Sequence, residues 1–100
     1  MTNNNLSEIK NIVSKIAERY GVSKVLLFGS RVKGEERSDS DYDFLITNGN
    51  LNSLLQFSGF WLDLEEAFQS PVDVITDTSF DKDLIAQAKR DGILVYEQQR

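Results

Sequence analysis

Apolar residues recur at helical spacing near the start of the chain and again through its middle. Residues 5–20 carry an apolar residue at every third or fourth position, and Gly21, a residue typical of helix ends, follows them. The same spacing runs through residues 51–69, where Gly59 weakens the pattern. We therefore predict an amphipathic helix over 5–20, and one long helix or two short ones over 51–69.

A third stretch with helical spacing lies towards the end of the sequence. Apolar residues within 79–90 fall on one helical face, and Gly92 follows them. Thr78 and Asp81 stand three positions apart, as in a capping box, where two side chains bond the first free N–H groups of a helix. The pattern predicts a helix over about 79–90 that is capped by this pair and ends at Gly92.

Short apolar runs rich in β-branched and aromatic residues separate these helices. Such runs, bounded by glycine, proline or asparagine, are typical of buried strands. They predict four strands, the last of them at a sheet edge: residues 24–28, 41–47, 71–75 and 93–96. The predicted fold class is α/β (α+β), a small mixed β-sheet packed against helices. One hundred residues with 40% hydrophobic content are enough for a single domain over residues 1–100.

The composition restricts the chemistry that this chain can perform. It contains no cysteine and no histidine, which excludes disulfides, thiolate nucleophiles, imidazole bases and the usual zinc sites. Its 11 basic and 16 acidic residues give a net charge of −5, which argues against nucleic acid as a partner. No stretch is long and apolar enough for a membrane span or a secretory signal, and we expect a cytoplasmic protein with no membrane partner.

Two aspartates open the second predicted strand. Because side chains alternate along a strand, Asp41 and Asp43 should point to the same side, with Cα atoms about 7 Å apart. Carboxylates placed in this way can converge on one divalent cation, and a ligand set made only of oxygen atoms favours Mg²⁺ or Mn²⁺. Taken alone, however, such a pair is more often the solvated acidic end of a loop.

Gly29 and Ser30 directly follow the first predicted strand. The absence of a Cβ at Gly29 lets main-chain amides and the Ser30 hydroxyl approach a phosphate group, although an isolated Gly-Ser pair is more often an ordinary turn.

Counting residues along this part of the sequence excludes two other motifs. Gly34 is followed by two glutamates instead of the Lys and Ser or Thr of a P-loop. A calcium loop that starts at Asp39 would place Phe44 where glycine is required.

One further aspartate lies within an apolar run. In the third predicted strand, Asp73 should face away from Val72 and Val74. A carboxylate in such a strand is costly unless it is solvated, paired or bound to a metal. The sequence leaves two interpretations open at this position: an edge strand with one solvent-facing acid, or another carboxylate of a metal site.

The spacing of these residues is similar to a family signature. Gly29-Ser30, ten intervening residues and then Asp41-Tyr42-Asp43 resemble the motif of minimal nucleotidyltransferases in the DNA polymerase β superfamily. Residues 72–75 resemble the strand that carries the family's third carboxylate, and the resemblance spans nearly the whole chain. It implies a nucleotidyltransferase fold, a substrate such as ATP or another nucleoside triphosphate, and Mg²⁺ as cofactor, with Mn²⁺ as an alternative.

The resemblance also implies roles for individual residues. Three carboxylates would be catalytic and would bind metal: Asp41, Asp43 and Asp73. Four residues would bind the nucleotide: Gly29, Ser30, Arg31 and Lys33. Within this second set, the two basic side chains are expected to contact phosphate; the alternative for both, and for Lys33 in particular, is a solvated loop charge.

The size of the chain bears on the acceptor. Minimal family members of this kind resemble antitoxins that act with a small helical HEPN-domain toxin, some by transferring AMP to it. One hundred residues leave no room for a separate acceptor-binding domain. We therefore predict a nucleotidyltransferase that modifies such a protein partner, in a hetero-oligomer or as a homodimer. Two alternatives stay open: a binding module that neutralises a helical partner by contact alone, and nucleotidyl transfer to a small molecule.

The middle helical stretch is unusually rich in aromatic residues. Phe57, Phe60 and Trp61 supply more aromatic mass than one helix face of a small domain needs. At least two of the three are expected in the core. We predict that Trp61 or Phe60 contributes to a partner or dimer surface.

Overall fold

The structure, a computed structural model, describes residues 5–29, 42–79 and 81–98. The helices and strands that it describes follow one another in the predicted order. They are α1 Leu6–Tyr20, β1 Lys24–Phe28, β2 Tyr42–Thr47, α2 Leu54–Phe68, β3 Val72–Thr76, α3 Lys82–Asp91 and β4 Ile93–Glu97. The middle helical stretch is one helix, and Gly59 lies inside it. The first residue of the predicted second strand, Asp41, is outside the described residues.

The start of α3 differs from the prediction. Asp81 is itself the N-cap, and its side chain accepts the N–H of Leu84 at 3.0 Å. Thr78 lies in the turn after β3, where its hydroxyl group is 2.9 Å from that of Thr76. The helix therefore begins at Lys82, because aspartate offers the stronger cap and Thr78 is engaged elsewhere. It ends before Gly92, as predicted.

The strands form one mixed sheet in the order β3-β2-β1-β4. Strand β1 pairs antiparallel with both of its neighbours, while β2 and β3 run parallel to each other. A parallel connection needs a crossover, and α2 provides it between β2 and β3. Strand β4 lies at an edge of the sheet, as predicted, and β3 lies at the other edge.

The two faces of the sheet are covered by different helices. Side chains on one face of the sheet pack with α1 and α2 and form the larger core. Side chains on the other face pack with α3 in a smaller cluster. The smaller cluster consists of Phe28, Leu45, Ile85 and Ala88. The largest side chains that are fully buried belong to the larger core: Phe44, Phe60, Ile46, Leu64, Val13, Val22 and Val25.

A polar contact joins α1 to α2 at the surface. The hydroxyl group of Tyr20 donates to Asp63 at 2.8 Å, and Arg19 pairs with the same carboxylate at 3.1 Å. The hydrogen bond to Asp63, together with partial burial, raises the pKa of Tyr20. Tyr20 also packs edge-on against Phe60 with ring centres 5.9 Å apart. The contact fixes α2 on the side that faces α1.

The aromatic residues of α2 divide between core and surface. Phe60 is fully buried, so it cannot supply a partner surface. Phe57 and Trp61 are half-buried and pack against the core with their rings 5.7 Å apart. Trp61 therefore remains the aromatic candidate for a surface role.

No helix in the described parts of the chain is long and apolar enough to cross a membrane.

We predict that Phe60→Ala lowers the free energy of unfolding by about 3–5 kcal/mol, because it removes a large buried ring and leaves a cavity. Leu55→Ala is the matched control on the same helix, since Leu55 is 84% exposed. The control should change stability by no more than about 0.5 kcal/mol. Urea unfolding of both variants measures the difference, and equal losses would contradict this description of the core.

Candidate active site

Two predicted site carboxylates are direct neighbours in the sheet. Asp43 of β2 is the register partner of Asp73 in β3. Partners in a parallel pair point to the same face, and neighbouring strands lie about 4.8 Å apart. The shared face is the one that α3 covers, because Leu45, two residues beyond Asp43, packs in the α3 cluster. Asp43 is half-buried and Asp73 is exposed, so both carboxylates can meet a ligand at this end of the sheet.

Gly29 lies against this pair, at the end of β1. Its φ is +89°, in the region that favours glycine. Phe28, the residue before it, is the register partner of Asp43. A Cβ built on Gly29 would overlap the carboxylate of Asp43. Position 29 therefore requires glycine for two independent reasons, its φ angle and its close contact with Asp43.

A cavity of about 360 Å³ opens at these residues. This volume lies at the lower end of the range that small-molecule sites occupy. One part of its wall is apolar and another carries acid and amide groups. The lining residues are Phe28, Gly29, Asp43, Trp61, Asp73, Val74, Ile75, Leu84, Gln87 and Asp91. The cavity joins the two carboxylates to an apolar surface, as a ligand with a charged part and a flat apolar part would require.

Sequence reasoning missed the lining residues that α2 and α3 contribute. Leu84, Gln87 and Asp91 all line the cavity. Their spacing of three and then four positions places them on one face of α3. Polar residues on an otherwise inward face are a signal that could have identified Gln87 and Asp91. Trp61 gave no comparable signal, because it reaches the cavity only through the packing of α2 beside β3.

Several predicted site residues lie outside the described residues. They are Ser30, Arg31, Lys33 and Asp41. Among the residues that the structure describes, no group of three or more acidic, histidine or cysteine side chains is placed to hold a metal ion. The structure thus brings together Gly29, Asp43 and Asp73, while the roles of all seven predicted site residues stay predictions.

The donor set of the cavity suits a hard divalent cation. Asp43 and Asp73 present only oxygen atoms, and the sequence contains no histidine or cysteine that would attract softer metals. Mg²⁺ commonly binds through a few carboxylates and completes its shell with water and substrate phosphates. Two neighbouring carboxylates at an open cavity fit this mode of binding.

We predict that Gly29→Ala destabilises the chain in a way that depends on Asp43. In the otherwise unchanged chain, the substitution meets both an unfavourable φ and the carboxylate. In an Asp43→Ala background, only the cost of the φ angle remains. The free energies of unfolding of the two single variants and the double variant should give a coupling energy of about 1 kcal/mol or more. Additive losses would show that Gly29 and Asp43 do not meet.

Known proteins are similar to this chain in sequence and in fold. Residues 9–100 match the family model described as polymerase beta, nucleotidyltransferase. The protein adenylyltransferase MntA of Thermococcus cleftensis is 32% identical over 94 residues, which cover 90% of this chain and 95% of MntA. A match of that length and identity shows common family membership.

Solved structures share the fold at lower sequence identity. One is a chain in the crystal structure of a toxin–antitoxin with AMP-PNP, at a TM-score of 0.76 and 22% identity, covering 90% of this chain and 74% of that one. Another comes from the tri-AMPylated HEPN toxin of Shewanella oneidensis in complex with MNT antitoxin, at a TM-score of 0.72 and 18% identity, covering 95% and 75%. The chain belongs to the polymerase β nucleotidyltransferase family and is a nucleotidyltransferase.

Proposed function

We propose that this chain transfers AMP from ATP to a hydroxyl group of a protein partner in a Mg²⁺-dependent reaction. The observation that carries the proposal is the register of Asp43 with Asp73 beside Gly29 at an open cavity. The same geometry explains why the site needs glycine and why it favours an oxygen-bound cation. We further propose that residues 1–100 act as one domain, because the described strands share one sheet.

The known proteins support adenylyl transfer to a protein. MntA of Thermococcus cleftensis is named a protein adenylyltransferase, and this chain covers 95% of its length. One structure with the same fold contains AMP-PNP, and another contains a HEPN toxin that carries AMP groups. A HEPN-type toxin is therefore the partner class that we propose for this chain, with ATP as the nucleotide.

The described residues suggest how the triphosphate would be held. Gly29 has no side chain beside Asp43, and backbone N–H groups at the end of β1 would contact phosphate oxygens. Asp43 and Asp73 would hold the metal together with Asp41. Bound Mg²⁺ would neutralise the phosphate charge and favour loss of the proton from the acceptor hydroxyl. Ser30, Arg31 and Lys33 would add contacts to the phosphates.

The transfer itself is a displacement at phosphorus. The acceptor oxygen forms a bond to the α-phosphorus while the bond to the bridging oxygen of the β-phosphate breaks. Pyrophosphate leaves, and the proton of the acceptor hydroxyl passes to the solvent. No covalent enzyme intermediate is needed, so the protein contributes orientation and charge. The apolar wall formed by residues such as Trp61, Ile75 and Leu84 would limit access of water, which competes with the acceptor.

We predict that Asp43→Asn and Asp73→Asn each lower the rate of AMP transfer by two to three orders of magnitude, as expected when a charged group of a catalytic site is removed. The assay incubates the chain with ATP labelled at the α-phosphate, Mg²⁺ and a HEPN-type partner, and counts label on the partner. Asp77→Asn is the control, because Asp77 follows the opposite end of β3 and hydrogen-bonds Thr47.

Three outcomes of this assay separate the candidate functions. Label on the partner that depends on Asp43 and Asp73 supports the proposal. Neutralisation of the partner without label, in both the unchanged chain and the Asp43→Asn variant, would show a contact-only binding module. Label that appears on a small molecule in the absence of any protein acceptor would show the wrong acceptor class.

A further inference from the structure

The main chain of Val72 is held by two side chains of α2. The indole N–H of Trp61 donates to the carbonyl oxygen of Val72 at 2.6 Å. The carboxylate of Glu65 accepts the N–H of Val72 at 3.4 Å. Trp61 and Glu65 are four positions apart and so lie on one face of the helix. Together they bond both polar groups of the residue that directly precedes Asp73.

The direction of these groups follows from strand geometry. The N–H and C=O of one strand residue point to the same edge, and those of its neighbours point to the other. The carbonyl oxygen of Pro71 accepts the N–H of Tyr42, so this carbonyl group points towards β2. The N–H and C=O of Val72 consequently point to the outer edge, where no described strand pairs with β3. An edge strand without a neighbour leaves such groups open, and here α2 supplies the missing partners.

The start of β3 is therefore fixed on both sides. Strand β2 holds it through the ladder that pairs Asp43 with Asp73, and α2 holds it through Val72. The side chain of Val72 is also buried, at 2% exposure. Asp73 itself is exposed, and its position depends on the main chain that carries it. The ring of Trp61 lines the same cavity as Asp73.

We propose that Trp61 is a positioning residue: by holding the carbonyl group of Val72, it sets the carboxylate of Asp73 against that of Asp43. The inference rests on the proposed function, because it treats Asp73 as a carboxylate that binds metal. It assigns to α2 a role beyond covering the sheet. Loss of the indole donor should loosen the outer side of β3 and weaken the metal site while the fold persists.

The test compares Trp61→Phe with Tyr20→Phe. Trp61→Phe keeps an aromatic ring and removes the donor to Val72. Tyr20→Phe also keeps a ring and removes one hydrogen bond to α2, but on the side that faces α1. Each variant therefore loses one hydrogen bond of α2, and the two differ in whether β3 is affected. Thermal unfolding of both verifies that each is folded.

Direct metal binding is the first measurement. Mn²⁺ is titrated into each variant without nucleotide, because a nucleotide would itself bind the ion, and the electron paramagnetic resonance signal of free Mn²⁺ gives the dissociation constant. Removing a group that supports a metal ligand typically weakens metal binding or activity by about 10- to 100-fold. We expect Trp61→Phe to bind Mn²⁺ about tenfold more weakly, with a similar fall in kcat and little change in the KM for ATP. Tyr20→Phe should match the unchanged chain.

Variants of Glu65 keep the inference testable if Trp61→Phe does not fold. Glu65→Ala should weaken Mn²⁺ binding in the same direction but less, because its contact with Val72 is the longer one. Glu65→Gln keeps an acceptor oxygen and should restore binding. Equal Mn²⁺ affinity in Trp61→Phe, Tyr20→Phe and the unchanged chain would overturn the inference and leave the proposed function intact. An unchanged chain that binds neither Mn²⁺ nor nucleotide would overturn both.

Discussion

The parallel pairing of β2 with β3 is the interaction on which the candidate site depends. This pairing places Asp43 opposite Asp73. The burial of apolar side chains keeps the two strands in that register. Val72 and Val74, on either side of Asp73, are 2% and 4% exposed in the larger core. A slip of one residue would turn both valines towards the cavity and Asp73 into the core. The cost of exposing two apolar side chains and burying a charge thus fixes the relative position of the two carboxylates.

This arrangement keeps two like charges together at the start of adjacent strands. Such neighbours repel each other, and the repulsion falls when a cation lies between them. The fold tolerates the pair because the carboxylates face an open cavity and the core lies on the opposite side of the sheet. Gly29 provides the space beside Asp43, and α2 stabilises the open edge next to Asp73. Parts of three strands and one helix therefore support a site whose polar groups are few.

The local elements could be predicted because each rests on a pattern of nearby residues. Periodicity located α1 and α2, and short apolar runs located the strands, while Gly21 and Gly92 marked helix ends correctly. The predicted start of α3 was wrong, because the choice between Thr78 and Asp81 as the helix cap depends on the turn that follows β3.

Long-range features of the site were less accessible from the sequence. The spacing of Gly29, Asp43 and Asp73 suggested a common site, and the structure brings these three residues together. The register of β2 with β3 and the contact of Trp61 with Val72 were not foreseen, because both connect residues through the crossover of α2. Trp61 was considered only for core packing or a partner surface. The roles of all seven predicted site residues still rest on the family resemblance, and Ser30, Arg31, Lys33 and Asp41 lie outside the described residues.

The most direct measurement is a crystal structure of the chain with Mn²⁺ and α,β-methylene ATP, using anomalous scattering to locate the metal. Mn²⁺ distinguishes itself from water and from Mg²⁺ by its anomalous signal, so its position needs no assumption about the site. The account predicts a peak within coordination distance of both Asp43 and Asp73, with the triphosphate against Gly29. A peak elsewhere, or a nucleotide bound away from this cavity, would contradict it.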